Sequence, residues 1–170
     1  MILDEENEGR AEAYRVLAGL FSKPPDAAEL DALREDLELE TRETEFQVFD
    51  DFAHLFAIPG GVAPPLESLA AAGGETDLAD VLTDFYADAG LTFDEQYELM
   101  PDHLSLELLF MSYLIDSRDL ELQERFLEEH IMNWVPYYCD RVTAEARTLF
   151  YREVASLTRD FLEREYADFD

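Results

Sequence analysis

A chain of 170 residues, 48% of them hydrophobic, is long enough to bury a core of its own, and its many Leu, Phe and Tyr exclude wholesale disorder. Its formal net charge of −29, with Lys23 as the one lysine, leaves no basic footprint for nucleic acid, and an anionic membrane would repel it. β-branched residues are sparse and no stretch alternates apolar with polar, so the sequence predicts helices rather than strands.

The first predicted helix lies in "RAEAYRVLAGLFSKPP", where Ala13, Val16, Leu17, Leu20 and Phe21 share one face; Pro24 and Pro25 end it. Asp26 then caps a second, carrying Leu30, Leu33 and Leu37. "TEFQVFDDFAHLFAI" predicts a third, with Phe46, Phe49, Phe52 or Ala53, and Phe56 inward, stopping before Pro59-Gly60-Gly61. Residues 58–76, "IPGGVAPPLESLAAAGGET", are the longest irregular segment. Their glycines and prolines forbid a regular element through most of it, and such a loop is either functional or a linker between helical subdomains.

A fourth helix, capped by Asp77 or Thr76, runs to about Ala89 with Leu78, Val81, Leu82, Phe85 and Tyr86 on one side and Gly90 at C′. A fifth covers Asp102 to Ile115 and a sixth Leu120 to Trp134. Pro136 suits the first turn of a restarted helix, so the last segment, Tyr137 to Tyr166, is read separately, with a break near Arg147 and Thr148. The expectation is one all-α, bundle-like globular domain over 1–170, of about seven helices with one long Pro/Gly loop.

The chemistry-bearing stretch is "ELMPDHLSLELLFM", residues 98–111. Asp102 is placed to cap the helix through the amides of Leu104 or Ser105. His103 and Glu107, four residues apart, share a face continued by Phe110 and Leu114, while Leu104, Leu108, Met111 and Ile115 form an adjacent core face. As metal ligands His103 and Glu107 are only two, with no HExxH and no Cys cluster to complete a site, so no metal is expected. No nucleophile elbow accompanies them, and the Gly pairs at 60–61 and 73–74 lack the Lys-Ser/Thr of a phosphate loop. A binding module is therefore preferred. A metal-assisted hydrolase centred on His103 and Glu107 and an acidic helical scaffold remain as alternatives.

His54 and His130 read as partly buried, structurally satisfied histidines, Trp134 as a helix-end packing anchor and Cys139 as a packing residue. One cysteine permits no internal disulfide. The N-terminus "MILDEENEGR" lacks a secretory signal's pattern and no run of ~20 apolar residues exists, so a cytoplasmic protein without membrane insertion is expected. The carboxylates are spread along the whole chain, as on a solvated surface adapted to high salt.

The segments "YRVLAGLFSKPP", "FAHLF", "PPLES", "FYADAGL", "PDHLSLELLFMSYL" and "HIMNWVPYYCDRV" follow one another in an order and spacing that resembles the TorD/DmsD/NarJ family of molybdoenzyme maturation chaperones. Its most specific part is Pro101-Asp102-His103 followed by Glu107-Leu108 and Phe110-Met111. The resemblance implies an all-helical, non-catalytic, cofactor-free cytoplasmic chaperone. Its partner would be the N-terminal peptide, often a twin-arginine signal, of a molybdopterin-containing oxidoreductase subunit, held until the cofactor is inserted. It implies a peptide site at Pro101, Asp102 and His103, flanked by the loop Pro64, Pro65, Glu67 and Ser68. Asp102, Glu107 and Glu67 would meet the arginines, and Leu106, Phe110 and Tyr113 would offer apolar surface. A monomer or a homodimer swapped across the 58–76 loop is expected. Where relatives place an aromatic residue after Glu67-Ser68, this chain runs "LAAAGG".

Overall fold

The computed structural model describes residues 2–70, 77–91 and 100–169. Its elements are α1 (Ile2–Ser22), α2 (Ala27–Asp36), α3 (Glu45–Phe56), the single turn α4 (Glu67–Ala70), α5 (Leu78–Asp88), α6 (Leu104–Asp116), α7 (Leu120–Phe126), a π-helical turn (Leu127–Ile131), α8 (Met132–Glu145) and α9 (Leu149–Ala167). Among the described residues there is no strand, only an isolated antiparallel bridge between Leu66 and His103. The all-α expectation is met.

The core forms where α1 lies along α6 and α8 lies along α9. Helix α6 is central: only Leu109, Tyr113 and Asp116 reach solvent along its length. Such a helix, apolar nearly all round, is stable only when enclosed by neighbours. Asp26 caps α2 by accepting from Glu29 N at 2.8 Å, and Gly90 takes the positive φ of +85° after α5, both as expected. Asp77 stands at the start of α5 but makes no capping bond through its side chain; Thr76 and residues 71–75 of the long loop lie outside the described residues.

Three expectations are corrected. On α3 the buried face is Val48, Asp51, Leu55 and Phe56, with Phe52 half-buried, whereas Phe46 and Phe49 are 78% and 57% exposed. The helix is rolled so that the Asp51 carboxylate reaches the start of α9, a polar anchor that hydrophobic spacing does not reveal. Second, the chain does not restart at Pro136. The helix is continuous from Leu120 to Glu145, Met132 N bonds Leu127 O in the wide π turn, and Pro136 sits inside α8 with Trp134 buried mid-helix. The expected break at Arg147 and Thr148 is real and separates α8 from α9.

Third, the first part of the long loop is not a free linker. Gly61 N, Val62 N and Ala63 N bond Ala57 O, His54 O and Leu55 O, filling carbonyls that the end of α3 leaves open. A Cβ at Gly61 would stand 2.6 Å from Leu55 O and 2.7 Å from Ala57 N, so this tight return demands glycine. Tyr138 OH then donates to Ala63 O at 2.6 Å, and the segment ends in the helical turn α4.

After α2 the chain turns through Glu38 at φ 52°, a left-handed C′ position without the customary glycine. Glu38 is exposed, so Glu38→Gly relieves that strain and removes nothing packed. We expect stability to rise by roughly 0.5–1 kcal/mol, less than the full left-handed cost because glycine also loosens the unfolded chain. Urea denaturation checks it, and no gain in midpoint would contradict it.

Candidate functional site

The loop before α4 crosses the entry to α6. Leu104 N, one of the amides a helix start leaves free, bonds Pro65 O at 2.9 Å; Glu67 N bonds Asp102 O at 3.1 Å. Ser68 N donates to Asp102 Oδ2 at 2.9 Å, and Tyr86 OH, from α5, donates to Pro101 O at 2.7 Å. Pro64, Pro65, Glu67, Ser68, Pro101, Asp102 and His103 are thus brought together, although more than thirty positions separate the two segments.

Asp102 is not the cap of α6. That position belongs to His103, whose Nδ1 accepts from Ser105 N at 3.1 Å. Asp102 instead reaches sideways to the first turn of α4. Burial lowers the His103 pKa to about 4, against the smaller opposing pull of Asp102, so the ring is neutral and free to accept.

Glu107 does not join His103 on an exposed recognition face. It is fully buried, as are Leu106 and Phe110, and Glu67 is 2% exposed. Phe110 packs edge-on against Tyr86 and Phe126, at ring-centroid separations of 4.7 Å each. Tyr113 is half-buried and donates to Ala89 O at 2.8 Å. The solvent-facing parts of the expected set are Ser68 and the half-buried Pro64, Pro101 and Tyr113; Leu69 and Met100, 62% and 47% exposed, adjoin them in the chain.

Beneath the crossing, Glu107 meets His130 and Trp134, residues whose sequence setting suggests packing alone. His130 Nδ1 lies 3.1 Å from Glu67 Oε1, and Trp134 Nε1 donates to Glu107 Oε1 at 3.4 Å. One ligand atom from each of Glu67, Glu107 and His130 falls within 4.8 Å of the others. Burial first, and then the neighbouring Glu67 carboxylate, raise the Glu107 carboxyl well above the usual carboxylate range. His130 and Trp134, four apart, signal a shared helix face in sequence; nothing signals that this face meets α4 and α6. Among the described residues His103 is not part of that cluster, so the expected pairing of His103 with Glu107 is not one of its features.

The expectation for Cys139 agrees with its setting, since burial pushes the thiol up to about 12. His54 Nε2 lies 3.2 Å from Glu145 O. Among the described residues no helix is long and apolar enough to cross a membrane. An apolar groove of about 300 Å³ between α1 and α9, lined in part by Val16, Leu20, Leu157 and Phe161, shares no residue with the Pro64–Tyr113 set.

Comparison with known proteins adds a family. A profile described as the nitrate reductase delta subunit matches residues 22–140, well over half the chain. The perchlorate reductase assembly chaperone protein of Dechloromonas aromatica (strain RCB) is 29% identical over 134 residues, 68% of this chain and 60% of that protein. Chaperone protein TorD of Shewanella loihica is 26% identical across an alignment of 199 positions, covering 90% of this chain and 89% of its own. Among solved structures, a redox enzyme maturation protein from Archaeoglobus fulgidus aligns over 91% of this chain and 93% of its own, with TM-score 0.60 and 20% identity, a likeness of fold.

Proposed function

The chain belongs to the nitrate reductase delta subunit family, and from that premise we propose that it is a maturation chaperone. Its client is the N-terminal segment of a molybdopterin-containing oxidoreductase subunit, with a twin-arginine signal where that client is exported. The protein holds this segment in the cytoplasm until the cofactor is inserted, and does so by reversible binding without catalysis. The names of its relatives, an assembly chaperone for perchlorate reductase and TorD chaperones, support the role.

One observation carries the placement of the client. The Pro64–Ser68 loop is pinned across the start of α6, and exposed Leu69 and Met100 flank that crossing in an otherwise highly charged chain. Exposed apolar side chains suit the apolar stretch of such a peptide, and a chain of net charge −29 attracts its arginines. Pro64, Ser68, Pro101 and Tyr113 form the touching surface. Pro65, Glu67, Asp102, His103, Leu106, Glu107 and Phe110 support it from beneath. Truncating Asp102 or His103 would disturb the fold along with the site, so the rim residues are the sharper probes.

With a peptide from the N-terminus of an oxidoreductase encoded beside this chain, Leu69→Ser should weaken binding about tenfold or more, roughly 1.4 kcal/mol, at unchanged Tm. Fluorescence anisotropy measures it. Normal binding by both Leu69→Ser and Met100→Ser would remove the rim from the site. If Leu157→Ser is the variant that loses the peptide, the client's apolar stretch lies in the α1–α9 groove instead.

A further inference from the structure

We propose that Glu67, Glu107 and His130 form a binding site for one divalent first-row transition cation of the zinc class, buried beneath the crossing of α4 and α6. Three separate elements supply the donors: α4, α6 and the π turn between α7 and α8. The ligand atoms lie within 4.8 Å of one another, and His130 Nδ1 stands 3.1 and 3.3 Å from the two Glu67 oxygens. Around a tetrahedral ion with bonds of ~2.0–2.2 Å, donor atoms stand roughly 3.3–3.6 Å apart, so the site needs adjustments of about an ångström.

The second observation is an unmet group. Glu107 is fully buried, and among the described residues no N–H or O–H group donates to its Oε2. A buried carboxylate oxygen left so is costly unless a proton or a cation answers it. Two carboxylates carry the charge that one divalent ion neutralises, and one imidazole with two carboxylates is a donor set that zinc-class ions accept. Ions that favour oxygen alone, such as magnesium and calcium, gain nothing from His130.

The surroundings resemble a supporting shell. The Trp134 indole N–H holds Glu107 Oε1, and the rings of Phe126 and Phe85 lie 5.1 and 5.7 Å from the His130 ring. The π turn Leu127–Ile131 sets the direction of His130, and such turns are frequent at functional sites. Displacing the single turn α4, which brings Glu67, gives an ion its way in. Once bound, the ion would fasten the Pro64–Ala70 segment to α6 and to the α7–α8 helix. This inference stands apart from the chaperone reading, because no client takes part in its test.

The test uses the full chain, stripped with a chelator and titrated with Co²⁺ in molar salt, which screens the surface carboxylates. The expected result is one saturable site with the intense visible absorption of four-coordinate cobalt, a rise in Tm, and hyperfine-shifted resonances from a single histidine ring. His130→Asn and Glu107→Gln should lose all three, while Glu12→Gln on the exposed side of α1 keeps them. Wild-type protein without that absorption overturns the proposal and leaves a proton between the carboxylates. Saturable binding unchanged in both site variants overturns it equally, placing the metal on the surface. Should the variants fail to fold, the wild-type absorption and the single shifted histidine decide alone.

Discussion

Asp51→Ala should destabilise the protein by roughly 3–5 kcal/mol, a large share of the stability of a domain this size. Asp51 is 2% exposed, and its carboxylate gathers donors from the start of α9: Thr148 N at 2.8 Å, Thr148 Oγ1 at 2.6 Å and Arg147 N at 3.1 Å. The Thr148 hydroxyl in turn accepts from Tyr151 N at 3.2 Å. Donating to Asp51 fixes how that hydroxyl is turned, so one carboxylate holds both the break after α8 and the cap of α9. Alanine leaves the Thr148 donors buried without an acceptor, and hydrogen bonds to an ionised acceptor are the strong ones. Asp51→Asn should recover part of the loss, because an amide oxygen accepts while the amide nitrogen faces donors. Chemical denaturation of the three proteins settles it. A loss under ~1 kcal/mol for Asp51→Ala would mean that water replaces the carboxylate and that the roll of α3 has another cause.

That roll shows where sequence reading stops. Phe46, Phe49 and Phe56 keep helical spacing as well as the true inward set does, and aromatic mass favours the face that in fact lies outward at Phe46 and Phe49. The choice was made by a long-range polar contact, and helical periodicity carries no information about partners 97 positions away. Local signals were legible because their causes are local: the Asp26 cap, the Gly90 turn and the break at Thr148 each depend on a few neighbouring residues. Pro136 misled for the opposite reason. Proline disrupts a helix through a missing N–H and a steric clash, yet here the helix runs on through Pro136 in the early part of α8.

The site divides along the same line. Pro101-Asp102-His103 and Pro64–Ser68 were legible as two motifs, and the structure joins them through main-chain bonds. Their burial was not legible. A helix start with Asp, His and Glu reads as a polar surface, whereas here these side chains turn inward, to Ser68 N, Ser105 N and the Trp134 indole, with Glu107 Oε2 left over. A charge of −29 hides such residues further, because nothing in composition separates two buried glutamates from the solvated majority. The exposed rim is therefore made of apolar and small side chains, and the acids lie beneath it.

A pH dependence of this region follows from His103. Its Nδ1 accepts from Ser105 N, which requires an unprotonated nitrogen, and a positive charge here would face the positive end of α6. Burial lowers its pKa from 6.5 to about 4, so between these values the unfolded chain binds more protons than the folded one. Stability from this residue is fully present above pH 6.5 and is lost as pH falls toward 4, by up to about 3 kcal/mol. Carboxylates titrate in the same range, so the comparison must be internal. His103→Asn keeps a capping oxygen at this position but cannot take up the proton. Denaturant midpoints measured at intervals from pH 7 to 4, converted to free energies, should show the wild type falling toward the variant or below it, with the gap changing by up to about 3 kcal/mol. Parallel curves would mean that the ring is already protonated at neutral pH, or equally solvated in both states. The cap on α6, and with it the support for Pro101 and the loop that crosses it, would then rest on something other than the neutral imidazole.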